Sequence, residues 1–404
     1  MTNSAQNHPT EQQPRAVSKA LVPSYRLAPA GPAEPWWRRM ARQRMAMLGL
    51  GFLAAVLAIC VGTLPWTLGG EGVPRYAAGD LNHVLLPPFW VVGEQSVWNE
   101  RMSRAGSPAY VLGTDRLGTS VLVRLLTGGG ISLSIGIAAA AVSVLIGTLY
   151  GATAGWKGGK IDAVMMRIVD VLYGLPYVLI VVLLAVAVDA GFERIVNGRV
   201  EEAERTRARY VERELAKFTP EQAADAELMN LMKQEAAATY PIEPISTPMR
   251  TSINLVTLLV AIGGVSWLTM ARVVRGQVLS LKTRPYVDAA RAMGAGPVRL
   301  FARHLLPGLI GPIVVYATLT VPQAILQESF LSFLGIGVKS PLPSWGNMAA
   351  DGLAELNPYR SHWWLIVSPC VLLALTLLAM NFVGEGLRVV LTPQNSRHGR
   401  GGVE

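Results

Sequence analysis

The residues best suited to act on another molecule lie in a short cationic segment, 286–307, between two long apolar runs. The segment combines small side chains, one acid and a closing Leu-Pro pair. Small side chains let a partner backbone approach a helix closely, and the acid can cap the helix. These residue types suit recognition by contact. The members are Asp288, Ala289, Ala290, Gly294, Leu306 and Pro307.

The residues alone leave two interpretations of this segment open. Gly294 and Gly296, followed by Pro297, predict that a first helix ends or bends there, and the Leu306-Pro307 pair predicts the start of the next helix. The segment could be a docking surface for another protein. It could equally be a basic helix that rests on lipid headgroups.

A second group of candidate residues lies inside an apolar run. Gln323 and Gln327 are one helical turn apart, and Glu328 follows directly. An acid inside a membrane is costly, which makes it a candidate for a transport pathway. The alternative is that Glu328 lies near the outer interface, hydrogen-bonded to a partner subunit or to backbone. The sequence leaves both readings open.

Arrangements typical of enzymes are not found in the sequence. The five histidines are scattered and have no metal-type spacing. The segment 155–161, GWKGGKI, resembles a phosphate-binding loop but has Ala154 where the leading glycine belongs and Ile161 where the metal-holding hydroxyl belongs. We therefore predict that the chain is not an enzyme, hydrolyses no nucleotide, and uses no metal or cofactor.

Composition predicts an all-α membrane protein. Of the 404 residues, 51% are hydrophobic and 16% charged, and the mean hydropathy is +0.35. Six apolar runs reach the roughly 20 residues that cross a hydrocarbon core about 30 Å thick. The net charge of +9 suits anionic lipid headgroups at the ends of such spans, so nucleic-acid binding is not expected. The predicted spans are 45–66, 131–155, 168–189, 253–271, 308–334 and 364–387.

Lys and Arg residues predict the orientation of these spans. They are concentrated before the first span, between the second and third, between the fourth and fifth, and after the last. By the positive-inside rule, both termini are then cytoplasmic. The predicted divisions are a mostly disordered cytoplasmic tail (1–44), the first span (45–66), an extracytoplasmic segment (67–130), a transmembrane domain (131–390) that includes an extracytoplasmic insertion (191–251) and a cytoplasmic loop (272–307), and a cytoplasmic tail (391–404).

The insertion 191–251 is rich in both acids and bases. Opposite charges four residues apart, such as Glu201 and Arg205, favour a solvated helix, and Thr219 with Pro220 predicts the start of a second one near 220–239. We expect a helical hairpin outside the membrane. It could contact a partner protein, or it could have no role in the activity.

Three local features complete the predictions from pattern alone. The glycines 128–130 predict a flexible joint before the second span. Arg167 and Asp170 are three residues apart and predict a structural ion pair. Glu385 and Arg388, near the end of the last span, predict another.

The cationic segment resembles the coupling motif of ABC importer permeases. That motif has an acid and two alanines, then a glycine, and later a Leu-Pro pair; here these positions are Asp288, Ala289, Ala290, Gly294 and Leu306-Pro307. Asp stands where Glu is usual in the family, and a histidine, at position 304, stands where Ile is usual. The resemblance favours the docking interpretation of the segment.

Longer stretches resemble the dipeptide/oligopeptide permease family, and within it the second permease subunit. The sequence departs from the family pattern at 119–120 and 128–130, and the insertion 191–251 has no counterpart in the compact pattern. The similar stretches are 112–126, 155–176, 271–295, 331–348 and 384–393.

The resemblance implies a fold, partners and a role. It implies a permease subunit that pairs with a homologous permease, is driven by two cytoplasmic ATPase subunits, and receives substrate from an extracytoplasmic binding protein. Residues 286–296 would be the coupling helix. Relatives carry dipeptides, longer peptides, glutathione or nickel. A self-contained secondary transporter or channel is the rival from another class, but neither an inverted repeat nor broken spans in corresponding positions are evident.

Overall fold

The computed structural model describes residues 36–69, 73–91, 110–219, 225–241, 247–356 and 361–391. Within them the fold is helical, and the extended backbone is limited to isolated bridges. The predicted N-terminal tail, 1–44, lies outside the described residues up to residue 35, and its described part contains the helix Trp36–Ala41. Most of the predicted C-terminal tail also lies outside the described residues. The prediction of an all-α protein is confirmed.

The helices are numbered here in chain order. The first half contains α1 (Trp36–Ala41), α2 (Arg44–Gly62), α3 (Leu64–Leu68), α4 (Val121–Lys157), α5 (Gly159–Tyr173), α6 (Tyr177–Leu215) and α7 (Ala226–Thr239). The second half contains α8 (Thr247–Lys282), α9 (Pro285–Ala292), α10 (Pro297–Leu300), a π-helical turn (Phe301–Leu305), α11 (Leu306–Phe333), α12 (Trp345–Ala354) and α13 (Trp364–Leu391).

Five helical stretches are long and apolar enough to cross a membrane, and a sixth span is a bent pair. The bent pair consists of α5 and α6, whose axes differ by 93°. The prediction of about six membrane spans is therefore confirmed, with one of them broken. The five are Arg44–Leu68, Val121–Lys157, Met249–Lys282, Pro297–Phe333 and Trp364–Leu391.

The centre of the bundle is the contact between α4 and α8, which run alongside each other. Gly147, Gly151 and Gly155 of α4 lie against α8, and a Cβ atom at Gly151 would be 2.2 Å from the carbonyl oxygen of Ala271. Small residues at four-residue spacing allow this approach, and packing of this kind holds helices together where lipid removes the hydrophobic drive.

The expected joint at 128–130 is instead the interior of α4, which begins at Val121 rather than at 131. Ser120 caps the helix by accepting a hydrogen bond from the Val123 N–H. A Cβ atom at Gly129 would be 2.7 Å from the buried ring of Trp345 in α12. Gly129 thus serves close packing against α12, the three glycines lie within a continuous helix, and the prediction of a flexible joint was wrong.

The break between α5 and α6 was not predicted from the sequence. Pro176 has no N–H to donate, so it cannot continue α5, and it instead provides the N-cap of α6.

One of the two predicted ion pairs has a different partner. The Asp170 carboxylate lies 2.8 Å from Arg272 of α8, whereas the sequence predicted a pair with Arg167. By contrast, Glu385 and Arg388 are 3.5 Å apart, as predicted.

Helix α6 continues without interruption into the region predicted as an insertion. It has 39 residues and, at about 1.5 Å per residue, is about 58 Å long. Helix α7 packs back along it, and Arg207 Nε donates to the Tyr240 carbonyl at 2.8 Å. Helix α7 is capped by Asp225 and begins at Ala226, whereas the sequence predicted a start near 220. Pro220 itself lies outside the described residues.

The two ends of the bundle differ. One end, which we call the loop end, carries α9 together with the start of α2 and the ends of α4, α8 and α13. The other end, the hairpin end, carries α7, α12 and the outer half of α6. Residues 36 and 391, the first and last described, are both at the loop end.

Candidate functional site

The cationic segment forms a short helix, α9, that begins earlier than predicted. Arg284 is its N-cap, and Pro285 occupies the first turn, where the missing N–H costs nothing. Asp288 lies in the first turn and is exposed, 3.2 Å from Arg291. The expected capping by Asp288 is therefore not present, although an acid near the N-terminus still suits the helix dipole.

The end of α9 depends on Gly294. Its φ of +82° lies in the left-handed region, which a side chain disfavours. The Gly294 N–H donates to the Arg291 carbonyl at 3.0 Å, and the Ala295 N–H donates to the Ala290 carbonyl at 3.1 Å. These two bonds are those of a Schellman motif. Gly296 and Pro297 then begin α10, so the predicted end at these glycines is confirmed.

One face of α9 is buried against the rest of the chain. Val287, Ala290, Leu300 and Leu305 form an apolar cluster, and Ala290 is only 2% exposed. The two alanines of the motif therefore differ, because Ala289 is exposed while Ala290 is not. The small size of Ala290 lets α9 seat on its own protein, and the contact of both alanines with a partner stays a prediction.

The opposite face of the loop presents apolar side chains to the outside. Tyr286, Met293 and Val298 are 46%, 81% and 80% exposed. Clusters of exposed apolar residues among charged ones mark interaction sites. Sequence reasoning missed these residues; the seven-residue spacing of Tyr286 and Met293, which repeats one helix face, was the available signal. With Ala289 they form what we call the docking face.

Polar contacts fasten the loop to several spans. Lys282, just before the loop, donates from Nζ to the carbonyl oxygens of Gly155 and Trp156 at 3.1 and 2.9 Å. Nearby, Arg275 of α8 binds Asp162 of α5 with two hydrogen bonds of 2.5 and 2.7 Å. Paired bonds between a guanidinium and a carboxylate fix orientation as well as distance. The loop end is thus held to α4, α5 and α8.

The loop is also continuous with the next span. The π-helical turn leads directly into α11 at Leu306, with Pro307 in its first turn as predicted. Phe301 packs on Trp156 with ring centroids 5.9 Å apart. From Pro297 to Phe333, α10, the π-helical turn and α11 therefore follow one another without a break.

The three polar residues of α11 lie in different environments. Gln323 is exposed on the outside of the chain, whereas Gln327 accepts a hydrogen bond of 2.5 Å from the Tyr177 hydroxyl. Ser266 of α8 donates to the same Gln327 oxygen at 3.3 Å. The structure thus places Gln327 beside the bend between α5 and α6, at the meeting point of three spans.

Glu328 is fully buried inside the chain itself. Its carboxylate accepts hydrogen bonds from the hydroxyls of Ser332 at 2.8 Å and Ser329 at 3.3 Å. The Ser332 hydroxyl in turn accepts from the Val338 N–H at 2.9 Å. Serine hydroxyls of α4 and of the N-cap of α12 also hydrogen-bond the carboxylate, and neither interpretation of the sequence had named these partners. They connect α11 to the loop before α12.

Comparison with known proteins agrees with this architecture. Residues 143–397 match the family model of the binding-protein-dependent transport system inner membrane component. The chain is similar to the dipeptide transport system permease protein DppC of Bacillus subtilis, at 35% identity over 89% of this chain and 85% of the relative. It is also similar to the oligopeptide transport system permease proteins OppC of Haemophilus influenzae (33%; 89% and 87%) and Escherichia coli K12 (36%; 71% and 73%).

These relatives are named as permeases and not as enzymes, which confirms the prediction that this chain is not an enzyme. They also confirm the predicted resemblance to the dipeptide/oligopeptide permeases. Both the matched family model and the coverage of the relatives extend over most of the membrane spans. The chain therefore belongs to the family of binding-protein-dependent transport system inner membrane components.

Proposed function

We propose that this chain is one transmembrane permease subunit of an ATP-driven ABC importer for peptides. It forms the translocation pathway with a homologous permease subunit and is driven by two separate ATPase subunits. An extracytoplasmic binding protein delivers the substrate. The observation that carries the proposal is α9, a short helix with one face seated on its own spans and an apolar docking face left open.

The geometry suits transmission of force. Val287 and Ala290 fix α9 to the bundle, so a push on the docking face displaces the spans rather than the helix alone. Packed interfaces move as rigid bodies between discrete arrangements. Closure of the ATPases on nucleotide would then move α11 through the continuous π-helical turn, and access to the pathway would alternate between the two sides.

Peptide as substrate class is supported by the names of the relatives, which transport dipeptides or oligopeptides. Gln323, exposed on α11, is the pathway candidate that can reach a partner subunit. Gln327 and Glu328 act through the packing of α11, since their bonds are made inside the chain. Nickel or glutathione remains the alternative cargo.

The loop end lies on the cytoplasmic side in this proposal. Arg38, Arg39 and Arg44 lie there with Arg303 and Arg388. Such an excess of Lys and Arg near span ends is typical of the cytoplasmic side. Both termini are then cytoplasmic and the hairpin extracytoplasmic, and the protein is a multi-pass component of the inner membrane.

Cysteine crosslinking tests the docking face. The exposed native Cys370 is first replaced by Ser, and single cysteines are placed at Ala289 and, as the matched control, at Ala290. With short bismaleimides, the cysteine at 289 should crosslink to the ATPase subunits and the buried one at 290 should not. Equal crosslinking at both positions, or none at 289 with any linker length, would contradict the proposal.

Transport in vesicles tests the substrate class. Full-length chain, partner permease, ATPases and binding protein are reconstituted, and uptake of a labelled tripeptide is compared with uptake of nickel and of glutathione. The tripeptide should accumulate only when ATP is present on the side of the membrane that carries the ATPase subunits. Uptake of nickel or glutathione but not of peptide would show that the substrate is not a peptide. Uptake without ATP would indicate a secondary transporter.

A further inference from the structure

A polar cleft lies at the hairpin end between α6, the start of α8 and the loop that follows α11. It consists of two adjoining cavities of about 400 and 210 Å³ that share Asp189, Asn254 and Lys339. The larger cavity opens towards the hairpin, and the smaller one reaches down between α6 and α8. The cleft is separate from the docking face, which is at the other end of the bundle.

Both signs of charge line the larger cavity. Lys339 Nζ lies 2.7 Å from a carboxylate oxygen of Asp189, so these two groups neutralise each other. Glu193 and Arg250 line the same cavity, and neither forms an ion pair with any described residue. The cavity therefore offers one acid and one base, while its formal net charge is zero.

The smaller cavity contains a buried polar group without a partner. Thr257 is 6% exposed, and its hydroxyl makes no hydrogen bond with the residues that the structure describes. Thr257 lines the cavity beside Asn254, whose side-chain amide can both donate and accept hydrogen bonds. Burial of a hydroxyl without a hydrogen-bond partner destabilises the fold, because the free energy of its lost hydration is not recovered. A polar ligand that hydrogen-bonds Thr257 would recover part of this free energy.

The walls also offer apolar surface next to these polar groups. Phe192, Val196 and Ile253 line the larger cavity between the charged residues. Concave sites with mostly apolar walls and a few convergent polar groups are typical of small-molecule binding. An inorganic ion would use neither the apolar walls nor the opposite charge, whereas a molecule with both an ammonium and a carboxylate would use all of them.

We propose that this cleft binds a short zwitterionic peptide at the outer mouth of the permease. Glu193 binds the N-terminal ammonium, and Arg250 binds the C-terminal carboxylate. Asn254 and Thr257 hydrogen-bond the peptide unit between them, while Asp189 and Lys339 close the floor. The inference rests on the proposed peptide import, and it adds a site on this subunit to it.

The cleft also gives the insertion a role. Glu193 and Arg250 both belong to the segment 191–251, which the compact family pattern lacks. The segment continues α6 past Asp189 without a break, so its first turn is held rigidly above Lys339. A helical wall keeps Glu193 in place before the ligand arrives, which lowers the entropic cost of binding.

Equilibrium binding of labelled trialanine tests the site. The full-length chain is assembled with its partner permease and ATPases in nanodiscs, without the binding protein. We expect Glu193→Gln and Arg250→Gln each to weaken binding about tenfold, as for loss of a partner to a charged group. Thr257→Val should weaken it about threefold. The matched controls Glu204→Gln and Arg199→Gln, exposed on the same helix, should change it less than twofold.

Modified peptides assign the two ends. N-acetylated trialanine should bind the wild type more weakly but lose little further affinity on Glu193→Gln, and amidated trialanine should behave likewise with Arg250→Gln. Equal effects of cleft and control variants, or absence of trialanine binding to the wild type, would overturn the site. The binding protein is then added to the same nanodiscs; cleft variants that weaken only its attachment would also overturn the site, because the cleft would be a protein-docking surface.

The same preparation separates the site from the proposed function. Co-purified ATPases show that each variant is assembled. If the wild type imports peptide in vesicles while cleft and control variants bind trialanine equally, the cleft proposal alone fails. If the wild type imports no peptide, the proposed function fails first.

Discussion

The loop 285–305 and the hairpin 190–241 are both charged helical segments that connect spans, but they are stabilised differently. In the loop, Val287, Ala290, Leu300 and Leu305 are buried against the bundle. The hairpin instead packs mainly on itself, through α6 and α7. A short connection can be rigid only by sharing the core of the protein, whereas a long one can form a contact surface of its own.

The difference matters for what each segment can do. A helix that shares the core transmits displacement into the spans. A hairpin that packs on itself can change its conformation without disturbing the spans. Ion pairs on its surface, such as Glu201 (62% exposed) with Arg205 (71% exposed), contribute little to stability. The loop is suited to coupling, and the hairpin to recognition.

The largest effect is expected from filling the buried side of α9. Ala290→Trp overpacks a site that is 2% exposed, which costs about 1–3 kcal/mol or more, so the loop should detach from the bundle. Limited trypsin cleavage at Arg284, Arg291 and Arg299 without ATPases should accelerate at least tenfold. Ala292→Trp, exposed on the same helix, is the control. Equal protection in both variants would show that the loop does not depend on this contact.

A smaller effect is expected from the end of α9. Gly294→Val places a branched side chain at φ +82°, at a cost of about 1–2 kcal/mol, although no atom lies near its Cβ position. Peptide uptake should fall about tenfold, and Gly294→Asn should retain more activity because Asn tolerates this conformation. Gly296→Val, at φ −64° and equally open space, should leave uptake unchanged. A similar loss at both glycines would point to contact rather than backbone conformation.

The smallest effect is expected in the hairpin. Arg207→Met removes the bond to the Tyr240 carbonyl that ties the end of α7 to α6, a loss of about 1 kcal/mol. Hydrogen exchange in α7 should accelerate about fivefold while exchange in α9 stays unchanged. Arg213→Met, exposed on the same helix, is the control. Faster exchange in both α7 and α9 would show that the two segments are coupled after all.

Much of the fold was readable from local pattern. The apolar runs predicted about six spans because a hydrocarbon core requires about 20 apolar residues in each. The predictions of local structure failed where a residue type is compatible with more than one structural role. Glycines 128–130 predict a flexible joint when considered locally, but Gly129 lies against Trp345. Pro176 breaks a run whose composition is that of one span.

The candidate site divides in the same way. Its position, its Gly294 end and its Leu306-Pro307 start were predictable, since helix ends depend on residues within a few positions. The outward face of Tyr286, Met293 and Val298 was missed, and so was the burial of Ala290. Which side of a short helix is covered depends on residues such as Leu300 and Leu305, on the far side of a turn.

The sequence by itself determined that this chain crosses a membrane, that it carries a cationic segment between two spans, and which family it resembles, because composition and motif spacing are properties of the chain alone. Only the tertiary structure decided which alanine of the motif faces out and that Glu328 is held by serine hydroxyls, from its own helix and from neighbouring elements. It also brought Glu193, Arg250 and Lys339 to one cleft. Those results depend on how distant helices pack, which no local pattern specifies.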